Sequence, residues 1–162
     1  MDALLSLGGN VGDRRATMEA AVAALAVLPT TQVLAQSPYY RTAPDGPVAQ
    51  DWFVNLAIAI RTDLDIDTLA TACRRIEADL GRDRTREIPW GPRPIDIDII
   101  AMGTMQQMSP RDGKLDGRAF VLVPLADIAP GTVIGESTIA GLAAAVDRHG
   151  IERLDWPVTP PG

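Results

Sequence analysis

Histidine and cysteine are nearly missing: the 162 residues include one of each, His149 and Cys73. A lone cysteine makes no internal disulfide, which suits a reducing cytoplasm. A lone histidine in a polar stretch near the C-terminus excludes a histidine-based metal site and argues against a Ser–His or Cys–His catalytic pair. Aromatics are only 4% of residues, too few for an aromatic nucleic-acid platform. Basic residues are outnumbered 15 to 21, giving a net charge of −6. A chain of that sign is a poor generic binder of nucleic acid or anionic membrane. No apolar run reaches membrane-spanning length, and the first residues carry no basic n-region of a secretory signal. Neither G-x-x-x-x-G-K-[ST] nor G-x-G-x-x-G occurs, so the glycines at 8, 9 and 12 are read as a strand–helix turn or mobile loop rather than a P-loop or Rossmann fingerprint. A cytoplasmic monomer with no nucleic-acid or membrane partner is the expectation.

What remains is ordinary globular material: 46% apolar and 22% charged residues, enough for a real core in one domain over 1–162, with 157–162 read as a tail. Residues 3–7 read as a strand. A helix over 13–28 follows, with Asp13 as N-cap and Met18, Val22 and Leu25 on one face. Strands are expected over 31–41 and 52–61, separated by a Pro/Gly loop. A second helix capped by Asp65 or Asp67 carries the stripe Leu69, Cys73, Ile76, Leu80 and stops at Gly81. A long polar loop fills 82–94, and a fourth strand covers 95–101. Residues 102–117 read as irregular, 120–123 as a short apolar stretch, 124–129 as helical, and 137–147 as a last helix capped by Ser137. The order β-α-β-β-α-β is the α+β, ferredoxin-like plan, an antiparallel sheet with both helices on one face.

Chemistry concentrates in two neighbouring segments. In Ile95-Asp96-Ile97-Asp98-Ile99-Ile100 the strand alternation places Asp96 and Asp98 on one face, about 7 Å apart, with the isoleucines on the other. Two carboxylates at that spacing suit hard divalent cations such as Mg²⁺ that also bind phosphates; a solvated strand face is the plain alternative. Just upstream, Arg82, Arg84, Arg86 and Arg93 punctuate a loop containing Pro89-Trp90-Gly91-Pro92. Guanidinium forks beside such a pair could hold phosphate oxygens, and Trp90 could cover a flat ring; a solvated Arg/Asp loop is the other reading. Glu77 borders the apolar stripe and could meet Arg82, Arg84 or a ligand, or merely pair with Arg74. Asn55, an amide inside an apolar strand, needs partners, which a heterocycle or the nearby loop with Thr42 could supply.

Together these segments resemble the 6-hydroxymethyl-7,8-dihydropterin pyrophosphokinase (HPPK) family of folate biosynthesis. The likeness runs through Leu5-Ser6-Leu7-Gly8-Gly9-Asn10, Ser37-Pro38-Tyr39-Tyr40-Arg41-Thr42, Phe53-Val54-Asn55, Ile76-Glu77-Ala78-Asp79-Leu80-Gly81-Arg82, the Gly91-Pro92-Arg93-Pro94-Ile95-Asp96-Ile97-Asp98 block and Arg118-Ala119-Phe120-Val121-Leu122. It implies transfer of pyrophosphate from ATP to the pterin's hydroxymethyl oxygen, with release of AMP. Asp96 and Asp98 would hold two Mg²⁺, and Asp96, Asp98, Arg82 and Arg93 would be catalytic. Thr42, Phe53, Asn55 and Phe120 would line the pterin slot. Glu77, Arg84, Trp90, Ile99, Arg111 and Arg118 would face ATP, and the loops at 9–13, 44–51 and 82–93 would close over both substrates. The sequence departs from the family at a Pro-His segment, where Pro110-Arg111 stands; Arg111 is the expected substitute contact to phosphate. Ala43 and Asp45 also depart from the pattern. A paralogue that binds nucleotide or pterin without turnover, and a pyrophosphokinase for another alcohol, are the rival readings.

Overall fold

The apolar opening stretch forms β1 (Asp2–Gly9), the strand on which the sheet is built. The computed structural model describes residues 1–44, 46–103, 105, 106, 115 and 117–158. Strand β1 pairs antiparallel with β4 (Phe53–Thr62) on one side and β5 (Asp96–Met102) on the other. Beyond β4 lie β2 (Thr31–Gln36) and β3 (Tyr40–Thr42), which pair with different stretches of it. Short strands β9 (Ile151–Arg153) and β6 (Met105–Gln106) extend the two edges, giving the order β6-β5-β1-β4-β3-β9 with β2 also on β4. Every pairing is antiparallel.

Period-2 alternation gives the sheet two buried faces. Leu5, Leu7, Val54, Leu56, Ile58, Ile97 and Ile99 pack under α1 (Arg14–Ala26) and α2 (Ile66–Asp79) through Met18, Leu25, Leu69, Cys73 and Ile76. Leu4, Ala57 and Ile100 on the other face pack under α3 (Ala119–Ile128) and α4 (Ile139–Ala145) through Val121, Leu122, Leu125, Ile139 and Ala143. A small hairpin of β7 (Val133–Ile134) and β8 (Ser137–Thr138) joins those two helices. The result is a mixed α/β fold with helices on both sides of an antiparallel sheet. Among the described residues no helix is long and apolar enough to cross a membrane.

Asp13 and Asp65 are the N-caps of α1 and α2, accepting from the Ala16 and Thr68 N–H at 3.1 and 2.8 Å; Asp67 lies inside the first turn. Gly81 follows α2 with φ 101°, the left-handed conformation that ends a helix cheaply only at glycine.

Three boundaries differ from the expectation. The strand over 31–41 is two strands, because Pro38 has no N–H for a ladder and Ser37 bonds both ways with Ala57 at 2.9 Å, through its N–H and its hydroxyl. Residues 119–128 form one helix despite Pro124, their apolar side chains being buried against the sheet. Thr138, not Ser137, caps the last helix; Ser137 belongs to β8, and the helix ends at Ala145. Just before the expected tail, Trp156 packs on the α1/α2 core with its ring 5.3 Å from that of Tyr39, and Val158 packs there too; residues 159–162 lie outside the described residues.

Candidate active site

The register sets the site. Gly8 of β1 pairs with Asn55 of β4 and with Asp96 of β5; one step inward, Ser6 pairs with Ala57 and Asp98. Asn55 and Asp96 thus flank a glycine on the α3/α4 face. A Cβ on Gly8 would lie 2.3 Å from the Asn55 Oδ1, so the glycine is what lets the amide lie across the strand.

Asp98 sits deep. Burial, reinforced by the negative charges of Asp96 and Glu77 and opposed by Arg118 and Arg82, pushes its carboxyl up to about 7. The Asp96 carboxylate, 29% exposed, accepts from Arg82 Nη1 at 2.8 Å and Arg93 Nη1 at 3.5 Å. Two adjacent carboxylates, one of them short of positive charge, form a hard-oxygen donor set that fits Mg²⁺ completed by water and phosphate. Among the described residues no cluster of three or more His, Cys, Asp or Glu makes a closed metal cage.

Arg82 is the hub beside them, its side chain 3% exposed. Its Nη1 donates to Glu77 Oε2 at 2.6 Å, to Asp96, and to the Ile95 carbonyl at 3.3 Å. Its Nε and Nη2 form a parallel pair of bonds to Glu87 at 2.9 and 2.8 Å. Burial disfavours its charge, but the bonds from Glu87 and Asp96 outweigh this and raise its pKa above the ordinary arginine value. The same bonds hold the Glu87 carboxyl below its ordinary value despite partial burial. Glu77 is spent internally: it also accepts from the Ile97 N–H at 2.9 Å and from Arg84 Nη2 at 3.0 Å. It ties α2 to β5 and to the arginine loop instead of pairing with Arg74, and its buried carboxylate does not present itself to a ligand. Arg84 reaches it from the rim, 58% exposed.

The three loops meet at Asn10, which is 2% exposed. Its Oδ1 accepts from the Arg93 N–H at 3.0 Å, and its Nδ2 donates to Gln50 Oε1 at 3.0 Å and the Asp51 carbonyl at 2.9 Å. Gln50 in turn donates to the Trp90 carbonyl at 2.7 Å. Trp90 has φ 64°, is 38% exposed, and lies against Gly46.

The remaining expected residues are placed as follows. Asn55 donates to the Thr42 hydroxyl at 2.6 Å, both side chains buried. Phe53 starts β4 with the Arg93 guanidinium 5.8 Å from its ring, and Phe120 lies in the first turn of α3 with the Arg118 guanidinium 5.9 Å from its ring. Ile99 turns the other way: its side chain packs in the α1/α2 core, leaving only its backbone for a nucleotide. Arg111 and Asp45 lie outside the described residues.

The family model for 7,8-dihydro-6-hydroxymethylpterin-pyrophosphokinase (HPPK) matches residues 4–130. The chain belongs to the HPPK family. A 2-amino-4-hydroxy-6-hydroxymethyldihydropteridine pyrophosphokinase of Methylorubrum extorquens is 47% identical over 94% of this chain and 98% of its own length. The like-named protein of Pseudomonas aeruginosa is 39% identical over 93% and 94%. Among solved structures, wild-type Plasmodium falciparum HPPK-DHPS superposes with a TM-score of 0.62 at 14% identity, over 94% of this chain and 47% of that one. The chain thus spans about half of that larger protein, and the likeness extends the HPPK assignment to the fold. No local pattern in the sequence marks the Asn10, Gln50 and Glu87 contacts. Asn10 follows Gly8-Gly9, and a polar residue after two glycines reads as a turn; nothing local shows that it is buried.

Proposed function

We propose that this chain transfers the terminal diphosphoryl group of ATP to 6-hydroxymethyl-7,8-dihydropterin and releases AMP, as a step of folate biosynthesis in the cytoplasm. The observation that carries this reading is the Asp96–Asp98 pair, held beside Arg82 and Arg93 and across one strand from the Asn55–Thr42 amide–hydroxyl pair. The pterin hydroxymethyl oxygen forms a bond to the β-phosphorus, the bond from that phosphorus to the α,β-bridging oxygen breaks, AMP leaves with that oxygen, and the hydroxyl proton passes to solvent. Asn55 hydrogen-bonds the heterocycle's edge while Phe53 and Phe120 sandwich its faces. Asp96 orients the attacking hydroxyl. Arg82 and Arg93 grip phosphate oxygens with planar forks, Arg84 and Arg118 add positive charge from the rim and the α3 end, and Trp90 covers the site as the loops meet. Two Mg²⁺ at Asp96 and Asp98 would neutralise charge on the triphosphate.

The finer architecture belongs to the same reading: β1-α1-β2-β4-α2-β5 as a single ferredoxin-like core, acting as a monomer with no nucleic-acid partner. The likeness to relatives named as pyrophosphokinases, at 47% and 39% identity, favours this reading over a non-catalytic paralogue.

Mg²⁺-dependent AMP release that requires the reduced pterin tests the reading. Asp96→Ala and Asp98→Ala proteins should lose activity by at least about 100-fold while keeping their circular dichroism. Equal AMP release with an unrelated alcohol in place of the pterin would refute the substrate assignment.

A further inference from the structure

We propose that Glu87 is a built-in competitor for substrate phosphate: its carboxylate holds the Nε/Nη2 edge of Arg82 and gives that edge up to a pyrophosphate group. The inference rests on the reading that Arg82 grips the triphosphate.

Arg82 uses its two edges differently. Nη1 is bound to the framework, to Glu77 on α2 and to Ile95 and Asp96 at the start of β5. The Nε/Nη2 edge faces Glu87, which belongs to the loop 82–94 and to no helix or strand. Carboxylate and phosphate each present a pair of oxygens that match a guanidinium fork, so either can occupy that edge with two parallel bonds. The Glu87 Oε1 is also 4.0 Å from Arg93 Nη1. One carboxylate therefore stands in front of both guanidiniums that the phosphate chain needs. Its side chain is 14% exposed, at the border between the buried hub and solvent, where an arriving anion can meet it.

Exchange is feasible because Arg82 stays neutralised when Glu87 leaves: Glu77 and Asp96 remain bonded to Nη1. An anion must displace an intramolecular rival, so weak single contacts are rejected and a group that reaches both arginines is favoured. The apparent affinity falls by the fraction of molecules whose edge is free. If Glu87 holds the edge in about nine-tenths of molecules, its removal tightens binding about tenfold.

The probe is inorganic pyrophosphate, titrated calorimetrically without Mg²⁺ into the full chain at pH 8. Glu87→Gln should bind about tenfold tighter than wild type. Asp83→Asn is the charge control: it removes one carboxylate from the same loop, one that pairs with Arg86 and is not bonded to Arg82. It should change affinity less than twofold. An unchanged or weakened Glu87→Gln protein overturns the proposal, as does an Asp83→Asn protein with an equal gain. Adding Arg82→Lys separates the two ideas. If Arg82→Lys weakens pyrophosphate binding but Glu87→Gln gives no gain, the competitor role falls and the phosphate role of Arg82 stands. If the Glu87→Gln gain survives Arg82→Lys, both fall. A wild-type measurement avoids any folding defect of the variants: the Arg82 Nε–Hε resonance should shift on saturation with pyrophosphate as its partner changes. A resonance that stays still at saturation overturns the proposal.

Discussion

Asp98→Asn should make the metal-free protein more stable while removing its activity. Asp98 is largely buried beside Asp96 and Glu77, and its carboxyl is raised from 3.8 to about 7. Because the folded value lies above the unfolded one, the native state holds an extra proton between about pH 4 and 7. Stability from this group is fully present below that window and is lost as pH rises through 7. The cost of ionising Asp98 in the folded chain reaches an upper bound of about 4 kcal/mol at pH 8 but only about 1.5 kcal/mol at pH 5. Asparagine keeps the shape without the charge. Urea denaturation in EDTA should therefore place Asp98→Asn about 2–4 kcal/mol above wild type at pH 8 and about 1–2 kcal/mol above it at pH 5. Mg²⁺ at pH 8 should stabilise wild type and leave the variant nearly unmoved, because the cation supplies the charge that the site lacks. Equal stabilities at pH 8, or a gain of the same size at both pH values, would refute the argument that Asp98 is a strained carboxylate awaiting a cation.

Three further outcomes follow from the geometry. Arg93→Lys keeps the charge but loses the fork that reaches Asp96, and should lower kcat/KM about 10- to 100-fold in an AMP-release assay; full activity would make the 82–94 loop a solvated ornament. Asn10→Ala strips the acceptor from the buried Arg93 N–H, a loss of about 1–3 kcal/mol in urea denaturation, and should raise KM for ATP as well, whereas Gln50→Ala breaks the links to the Trp90 carbonyl and the Asn10 amide but leaves the Arg93 N–H its acceptor, and should raise KM with a smaller loss of stability. Gly9→Ala would put a Cβ 2.1 Å from the Pro94 carbonyl oxygen, a backbone atom with no rotamer to move, and should destabilise the protein by about 2–4 kcal/mol; a loss under about 1 kcal/mol would mean the two loops yield more easily than their contacts indicate.

Period-2 and 3.6-residue apolar spacing made the central strands and the first two helices legible in the sequence, because both faces of those elements are decided by burial. The same spacing put Asp96 and Asp98 together on one face. It could not place α3, since an apolar stretch with a proline inside it fits a strand or a helix until the sheet face beneath it is known. The fate of Glu77 was equally hidden. Its sequence neighbours allow a surface pair with Arg74, and only the approach of β5 turns it into a buried acceptor for Arg82, Arg84 and the Ile97 N–H. Asn10 and Gln50 escaped for a related reason: their bonds span about 40 or more residues, and polar loop residues carry no periodicity that records such contacts.

The most direct test of the central claim is phosphorus NMR of a mixture of this protein, MgATP and 6-hydroxymethyl-7,8-dihydropterin. The account predicts that the β and γ phosphorus signals leave ATP together and reappear as a coupled diphosphate ester on the pterin, with the α phosphorus appearing as AMP in equal amount. Formation of ADP with a singly phosphorylated pterin, or release of free pyrophosphate without a pterin ester, would contradict it.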